Sequence, residues 1–259
     1  MAFLVPQQKP APYWQLELDT QAPLARGLQC LLLFDRVAGL RTADCGFRDY
    51  AHPNRAITAI GTMVFTRTAN GGAYSTTTTT SALVLNPTVA HTSFTLSHLV
   101  KFTGANPASD IAPCSDGADG THYYVEGTGS ATPGCFSFNG GNAAIGALRV
   151  STLNGWFRIT ATWDGTTQTM YSNGVSFGAT TAALPPAILK DLCGDATVSA
   201  PWQWQTADFF FWSRALSAGE VLAHYASPYG SVMRPRYSER FRGRANPPNP
   251  SGQGLFSMH

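Results

Sequence analysis

Between Phe157 and Trp163 the chain alternates without interruption. Phe157, Ile159, Ala161 and Trp163 share one face of an extended segment, and Arg158, Thr160 and Thr162 share the other. Asp164-Gly165 follows, a pair suited to the φ > 0 conformations of a tight turn, and Thr167–Ser172 is placed to return antiparallel. A strand buried on one face keeps alternate residues inside, so Phe157, Ile159 and Ala161 are expected to face the core together.

The same pattern recurs along most of the chain. Strand-like segments run at Leu28–Phe34, Arg55–Ile60, Met63–Thr66, Ser81–Leu85, Ser93–Phe102, His122–Glu126, Cys135–Asn139 and Trp204–Trp212. Turn signals separate them: Asn70-Gly71-Gly72, Asp116-Gly117, Asp119-Gly120, Asn139-Gly140-Gly141 and Asn173-Gly174. Abundant Gly (25) and Pro (17) beside only 12% charged residues agree with many short strands and frequent turns. The fold class read from this pattern is all-β, a sandwich or barrel of antiparallel strands. One helix stands out. Ser217-Ala218-Gly219-Glu220 is a capping box, Val221, Leu222 and Tyr225 form an apolar stripe, and Pro228 stops it, which predicts a short helix on the edge of a sandwich.

The ends differ from this body. Residues 1–26 hold Pro6, Pro10, Pro12 and Pro23 without periodicity and read as an extended arm; residues 27–227 are the domain; residues 228–259 are an Arg/Pro-rich tail. Five arginines against Glu239 alone give the tail a formal charge of +4 within a chain of +2. So small a net charge gives no reason to expect nucleic acid or an anionic membrane as the main partner. No apolar run reaches the roughly 20 residues that cross a bilayer. Met1–Val5 followed by Pro6 lacks the basic and apolar regions of a secretory signal, so the expected place of synthesis is a cytoplasm. Cys30, Cys45, Cys114, Cys135 and Cys193 include no CxxC pair and read as buried free thiols.

Four segments, taken in order, carry a family resemblance. Gly27-Leu28-Gln29-Cys30-Leu31-Leu32-Leu33-Phe34-Asp35 opens the series and Ser93-Phe94-Thr95-Leu96-Ser97 follows. Next comes Gly155-Trp156-Phe157-Arg158-Ile159-Thr160-Ala161-Thr162-Trp163-Asp164-Gly165 with Met170-Tyr171-Ser172-Asn173-Gly174, and Ser213-Arg214-Ala215-Leu216-Ser217-Ala218-Gly219-Glu220-Val221 closes it. Their order resembles the laminin-G-like, or concanavalin A-like lectin/glucanase, jelly roll. The resemblance implies a jelly roll β-sandwich of two antiparallel sheets over residues 27–226. Ser227-Pro228-Tyr229 and Val232-Met233-Arg234-Pro235-Arg236 are similar to a segment that follows this jelly roll in tailed-bacteriophage proteins.

Glucanase relatives place two or three acids on one strand as E-x-D-x-E or E-x-D-x-x-E, and no full match occurs here. Glu126 has no partner along its strand, and Asp208 stands alone among aromatics. No G-x-S-x-G elbow or phosphate-binding loop is present, so no catalytic residue is assigned and no enzyme is expected. Calcium is the one cofactor the resemblance suggests, with Asp116 and Asp119 as weak candidate ligands. Sugar binding needs aromatic faces beside amides and carboxylates, which Trp202 and Trp204 (alternating with Gln203 and Gln205) and Tyr123 and Tyr124 offer. Arg234, Arg236, Arg240, Arg242 and Arg244, with Tyr237 and Phe241, suit docking to carboxylates and apolar pockets of a neighbouring subunit. The expected function is a non-enzymatic phage virion structural protein, in a capsid decoration or tail/fibre position, attached to capsid or tail protein and homo-oligomeric. The alternative is a carbohydrate-binding module that recognises a host-surface glycan.

Overall fold

The computed structural model describes residues 16–34, 49–60, 63–68, 71–76, 82–86, 90–102, 114–115, 123–125, 135–138, 144–149, 155–181, 187–188, 191–192 and 204–235. In chain order the strands are β1 (Leu16–Leu18), β2 (Leu28–Leu33), β3 (Ala56–Ile60), β4 (Met63–Thr68), β5 (Gly71–Thr76), β6 (Ala82–Asn86), β7 (Ala90–His91), β8 (Phe94–Phe102), β9 (Cys114–Ser115) and β10 (Tyr123–Val125). They continue as β11 (Cys135–Phe138), β12 (Ala144–Arg149), β13 (Trp156–Trp163), β14 (Gln168–Ser172), β15 (Val175–Thr180), β16 (Ala187–Ile188), β17 (Asp191–Leu192), β18 (Trp204–Trp212) and β19 (Met233–Pro235). One helix, α1 (Ala218–Ala226), lies between β18 and β19.

The large sheet runs β15-β14-β13-β8-β18-β5-β4, with β2 sharing the free edge of β18, and all its pairs are antiparallel. A second sheet, β3-β6-β17-β9, packs on its inner face. Between them lie Phe157, Ile159, Ala161 and Trp163 with Phe94, Leu96, Phe209 and Phe211 from the large sheet, and Leu83 and Leu85 from β6. The β13 face expected from alternation is therefore the core face. Cys30 is a buried free thiol in the same core, and burial pushes its pKa up.

The opposite face of the large sheet is also covered. Arg158, Thr160 and Thr162 are as buried as their apolar neighbours, at 2%, 1% and 5% exposure. Phe210 and Trp212 of β18 and Leu31 and Leu33 of β2 form a second apolar layer with Leu24, Leu216, Val221, Tyr229, Val232 and Met233. Residues 16–26 of the arm, the helix and the start of the tail thus lie over the outer face. The helix sits on that face and not on the sandwich edge, because Val221 and His224 pack against Phe210 and Trp212. Its capping box forms as expected, with Ser217 Oγ accepting from Glu220 N.

Arm and tail are joined to each other. β1 pairs with β19 in the register Leu16↔Pro235, Glu17↔Arg234 and Leu18↔Met233, and Arg234 Nε donates to Glu17 Oε1 at 2.9 Å. The Trp212 indole N–H donates to the Leu24 carbonyl at 2.6 Å, fastening the arm to β18. Arg234, a candidate for docking on a neighbouring subunit, pairs with Glu17 within the chain and keeps its side chain 53% exposed. The cover that an ordered strap needs comes, for residues 228–235, from this chain's own sheet.

Two turns differ from the expected form. Asn173 (φ 50°) and Gly174 (φ 81°) make the two-residue, doubly left-handed turn between β14 and β15. After β13, Trp163 pairs with Gln168, so the connection holds four residues and only Gly165 is left-handed. Asp164 Oδ1 organises it by accepting from Thr166 N, Thr166 Oγ1 and Thr167 N, bonds that lower its own pKa. Asn70-Gly71-Gly72 read as a turn, yet both glycines already belong to β5, opposite Thr68 and Arg67. A Cβ on Gly72 would overlap the Phe34 carbonyl and the Phe65 ring, so close approach explains the glycine.

Candidate functional site

The aromatic residues singled out as sugar platforms occupy different sheets. Trp204 opens β18 opposite Phe102, the last residue of β8. Tyr123 and Tyr124 lie on β10, opposite Phe138 and Ser137 of β11, in a three-stranded sheet whose β12 runs beside β15 at the far edge of the large sheet. Trp204 and the tyrosines are thus not brought together on neighbouring strands. Trp202, Asp116, Asp119, Glu126, Arg236, Tyr237, Arg240, Phe241, Arg242 and Arg244 lie outside the described residues. Among the described residues no group of His, Cys, Asp and Glu is placed to hold a metal ion, and no helix is long and apolar enough to cross a membrane.

A buried polar cluster lies between the sheet and its outer cover. Arg158 Nη2 meets Asp208 Oδ2 at 2.6 Å, with side-chain exposures of 2% and 0%. The same Oδ2 accepts from the Tyr229 hydroxyl at 2.6 Å, while Oδ1 accepts from Leu99 N at 2.9 Å. Asp208, which the sequence left alone among aromatics, is therefore fully engaged. A β-bulge between Thr206 and Asp208 shifts the ladder beside Leu99, and the Asp208 side chain serves as acceptor there. The other Arg158 nitrogen, Nη1, reaches Ser97 Oγ at 3.2 Å and His224 Nε2 at 3.4 Å, and its guanidinium carbon lies 5.4 Å from the centre of the Phe210 ring. Burial first, and the Arg158 charge second, hold the His224 pKa well below its usual value. With Nε2 facing a donor, the ring proton belongs on Nδ1, which is buried without a hydrogen-bond partner among the described residues.

Ser, His and Asp meet in this cluster without forming a catalytic triad. The Ser97 hydroxyl pairs with Thr160 at 2.9 Å and with Arg158, and an arginine stands between the histidine and the aspartate. Asp49 and Glu220 are likewise engaged. Asp49 accepts from Leu31 N and Ala51 N and pairs with Arg55 at 2.8 Å, with burial raising its pKa despite these bonds. Glu220 binds Arg214 through both oxygens, at 2.8 and 3.0 Å, and those bonds push its carboxyl down to about 2.

One open cleft of about 560 Å³ lies where the arm crosses the start of the helix. Thr20, Gln21, Ala22, Pro23, Arg26, Arg214 and Glu220 line it. Sequence reasoning missed it because its two halves, near residues 20–26 and 214–220, are far apart in the chain.

Residues 66–222, more than half of the chain, match the family described as the concanavalin A-like lectin/glucanases superfamily. The chain belongs to the concanavalin A-like lectin/glucanase superfamily. Solved structures with the superfamily fold resemble it at low identity. The binding domain of Paraclostridial Mosquitocidal Protein 1 is 14% identical with a TM-score of 0.52, over 79% of this chain and 53% of that one. The botulinum neurotoxin type G receptor binding domain is 16% identical with a TM-score of 0.50, over 77% and 51%. Trypanosoma rangeli sialidase in complex with sialic acid is 13% identical with a TM-score of 0.51, over 78% and 33%. This superfamily member therefore spans about half the length of the toxin domains and a third of the sialidase, and the likeness is one of fold. No curated protein matches the sequence.

Proposed function

We propose that this domain is a non-enzymatic recognition module whose ligand is a glycan. The observation that carries the reading is the superfamily fold shared over about four-fifths of the chain with toxin binding domains. One such toxin, botulinum neurotoxin type C, is described as entering cells through interaction with two ganglioside molecules. Engagement of Asp208, Asp49 and Glu220 in structural hydrogen bonds and ion pairs is consistent with binding without turnover, since glycoside hydrolysis needs two carboxyl groups free to act on one bond. Trp204, at the end of the large sheet with Gln203 and Gln205 beside it, is the first platform to test.

On an array of gangliosides and bacterial surface oligosaccharides the protein should bind a subset and release no reducing sugar. Trp204→Ala should weaken that binding about tenfold, the loss of one aromatic stacking face. Silence across the array, or release of reducing sugar, would overturn the proposal.

A second reading, a phage virion structural protein that displays this module, rests on the resemblance of the segment from Ser227 to Arg236. It is compatible with the first. In this reading Arg236, Arg240, Arg242, Arg244, Tyr237 and Phe241 engage capsid or tail protein, or a second copy of the chain. Since Val232 and Met233 belong to the second core, the informative truncation ends at Pro235. The shortened chain should fold with an unchanged melting temperature and lose incorporation into particles or self-association. Equal incorporation of both lengths would count against the reading.

A further inference from the structure

We infer that the cleft between the arm and the helix start is a subsite for an acidic sugar, a monosaccharide unit that carries a carboxylate. The inference rests on the glycan reading above but assigns a place and a charge that the reading does not contain.

The floor of the cleft is tied together by hydrogen bonds. Arg214 Nε donates to the Arg26 carbonyl at 2.9 Å, and its two Nη atoms hold Glu220. Glu220 also accepts from Ser217 N at 2.9 Å, so the pair is fixed to the helix cap. The arm is fastened from its other side, since Gly27 O accepts from Ser213 N at 2.8 Å. A guanidinium has five N–H donors, and these bonds use three, one on each nitrogen of Arg214. One N–H on each Nη is left over beside the cleft.

Charge sets the ligand class. Arg214 and Glu220 neutralise each other, and the Glu220 carboxyl, held down to about 2, stays ionised at any ordinary pH. Arg26 is exposed, lines the same cleft, and has no ion-pair partner among the described residues. Among the residues that line the cleft, Arg26 is therefore the charge left without a lining partner, on a planar group whose paired donors fit a carboxylate, while the Asp19 carboxylate of the adjoining turn is directed to Gln21 N and Arg234. Thr20 and Gln21, both exposed, add a hydroxyl and an amide for sugar hydroxyls. Their turn is ordered by Asp19, which accepts from Gln21 N at 3.1 Å. Pro23 supplies an apolar wall for the C–H face of a pyranose ring. A volume of about 560 Å³ suits one or two sugar units.

The test is calorimetric titration of the intact chain and of Arg26→Gln with sialyllactose, a glucuronic acid disaccharide, lactose and inorganic phosphate. Arg26 is exposed and its carbonyl is untouched by the substitution, so the variant should melt with the wild-type protein. The expected result is binding of the two acidic sugars at least about tenfold tighter than lactose, with that preference lost in Arg26→Gln. An acidic preference that survives Arg26→Gln would overturn the subsite and leave the glycan reading standing, as would binding of lactose by the wild-type protein as tight as that of the acidic sugars. Phosphate binding as tight as the acidic sugars would make the cleft a general anion site and overturn its assignment to sugar. The glycan reading itself fails if the wild-type protein binds nothing on the full array or releases reducing sugar from it.

Discussion

Asp208→Ala is expected to lower the unfolding free energy by about 3–5 kcal/mol, because it strands the Arg158 guanidinium without a counter-charge where water cannot reach it. Against a typical total of about 5–15 kcal/mol, that loss is large enough to leave part of the population unfolded. The same substitution removes the acceptor for Leu99 N and the Tyr229 hydroxyl, so the two effects add in one direction. Tyr229→Phe removes one hydrogen bond to a charged group and should cost less, about 1.5–3 kcal/mol. Arg158→Met with Asp208→Leu and Tyr229→Phe replaces the ionic cluster by apolar bulk and should regain much of the Asp208→Ala loss. Urea unfolding of the four proteins measures the series. An Asp208→Ala protein within about 1 kcal/mol of wild type would show that water or a backbone shift relieves the charge, and would remove the cluster from the account of stability.

Acidification from pH 7 to 5.5 should cost about 1 kcal/mol of stability through His224 alone. The native pKa lies well below the ordinary value of 6.5, so the unfolded chain takes up a proton that the folded chain refuses. Stability therefore falls as pH drops below about 6.5 and goes on falling until the native pKa is reached. The cause is spatial: the ring is fully buried, touches Arg158 of β13, and among the described residues faces the carboxylate of Asp208 of β18, which Arg158 and Tyr229 already occupy. Glu220, held at about 2, adds its own loss at lower pH, between about 4.5 and 2. His224→Phe keeps the ring against Phe210 and Trp212 and removes the titration. His91, also lowered by burial, and Asp49, which is raised, titrate alike in both proteins, so the difference between them isolates His224. If wild type and His224→Phe lose stability in parallel between pH 7 and 5.5, the buried imidazole is not the acid-sensitive group.

Much of the domain is written locally. The core face of β13, the positions of β2, β3, β6, β8, β14 and β18, and the Ser217 capping box follow from period-two alternation, turn chemistry and cap pairing, each contained within a few residues. β15 escaped this reading because it is partly exposed and mixes Ser, Gly, Ala and Thr, and β5 escaped because Gly71-Gly72 looks like a turn until Phe34 and Phe65 are placed against it. The candidate site was less legible. Aromatic pairs such as Trp202/Trp204 and Tyr123/Tyr124 suggest a chemistry, but a sequence does not say which sheet holds each pair.

What the sequence determined by itself is an antiparallel β domain of one superfamily, since strand period, turn residues and motif order survive without knowledge of the partners. What only the tertiary structure decided is the fate of the second face. Arg158, Thr160 and Thr162 read as the polar side of a half-buried strand, and they would be solvated if nothing lay above them. Residues 16–26, the helix and residues 228–235 close over that face, and Arg158 meets Asp208, 50 residues away, and through it Tyr229. The cleft near Arg26 arises in the same way, from the arm laid against Arg214, 188 residues away. Alternation reports how a strand is wound; which distant segment covers it depends on how the whole chain packs, and the charges enclosed there follow from that packing.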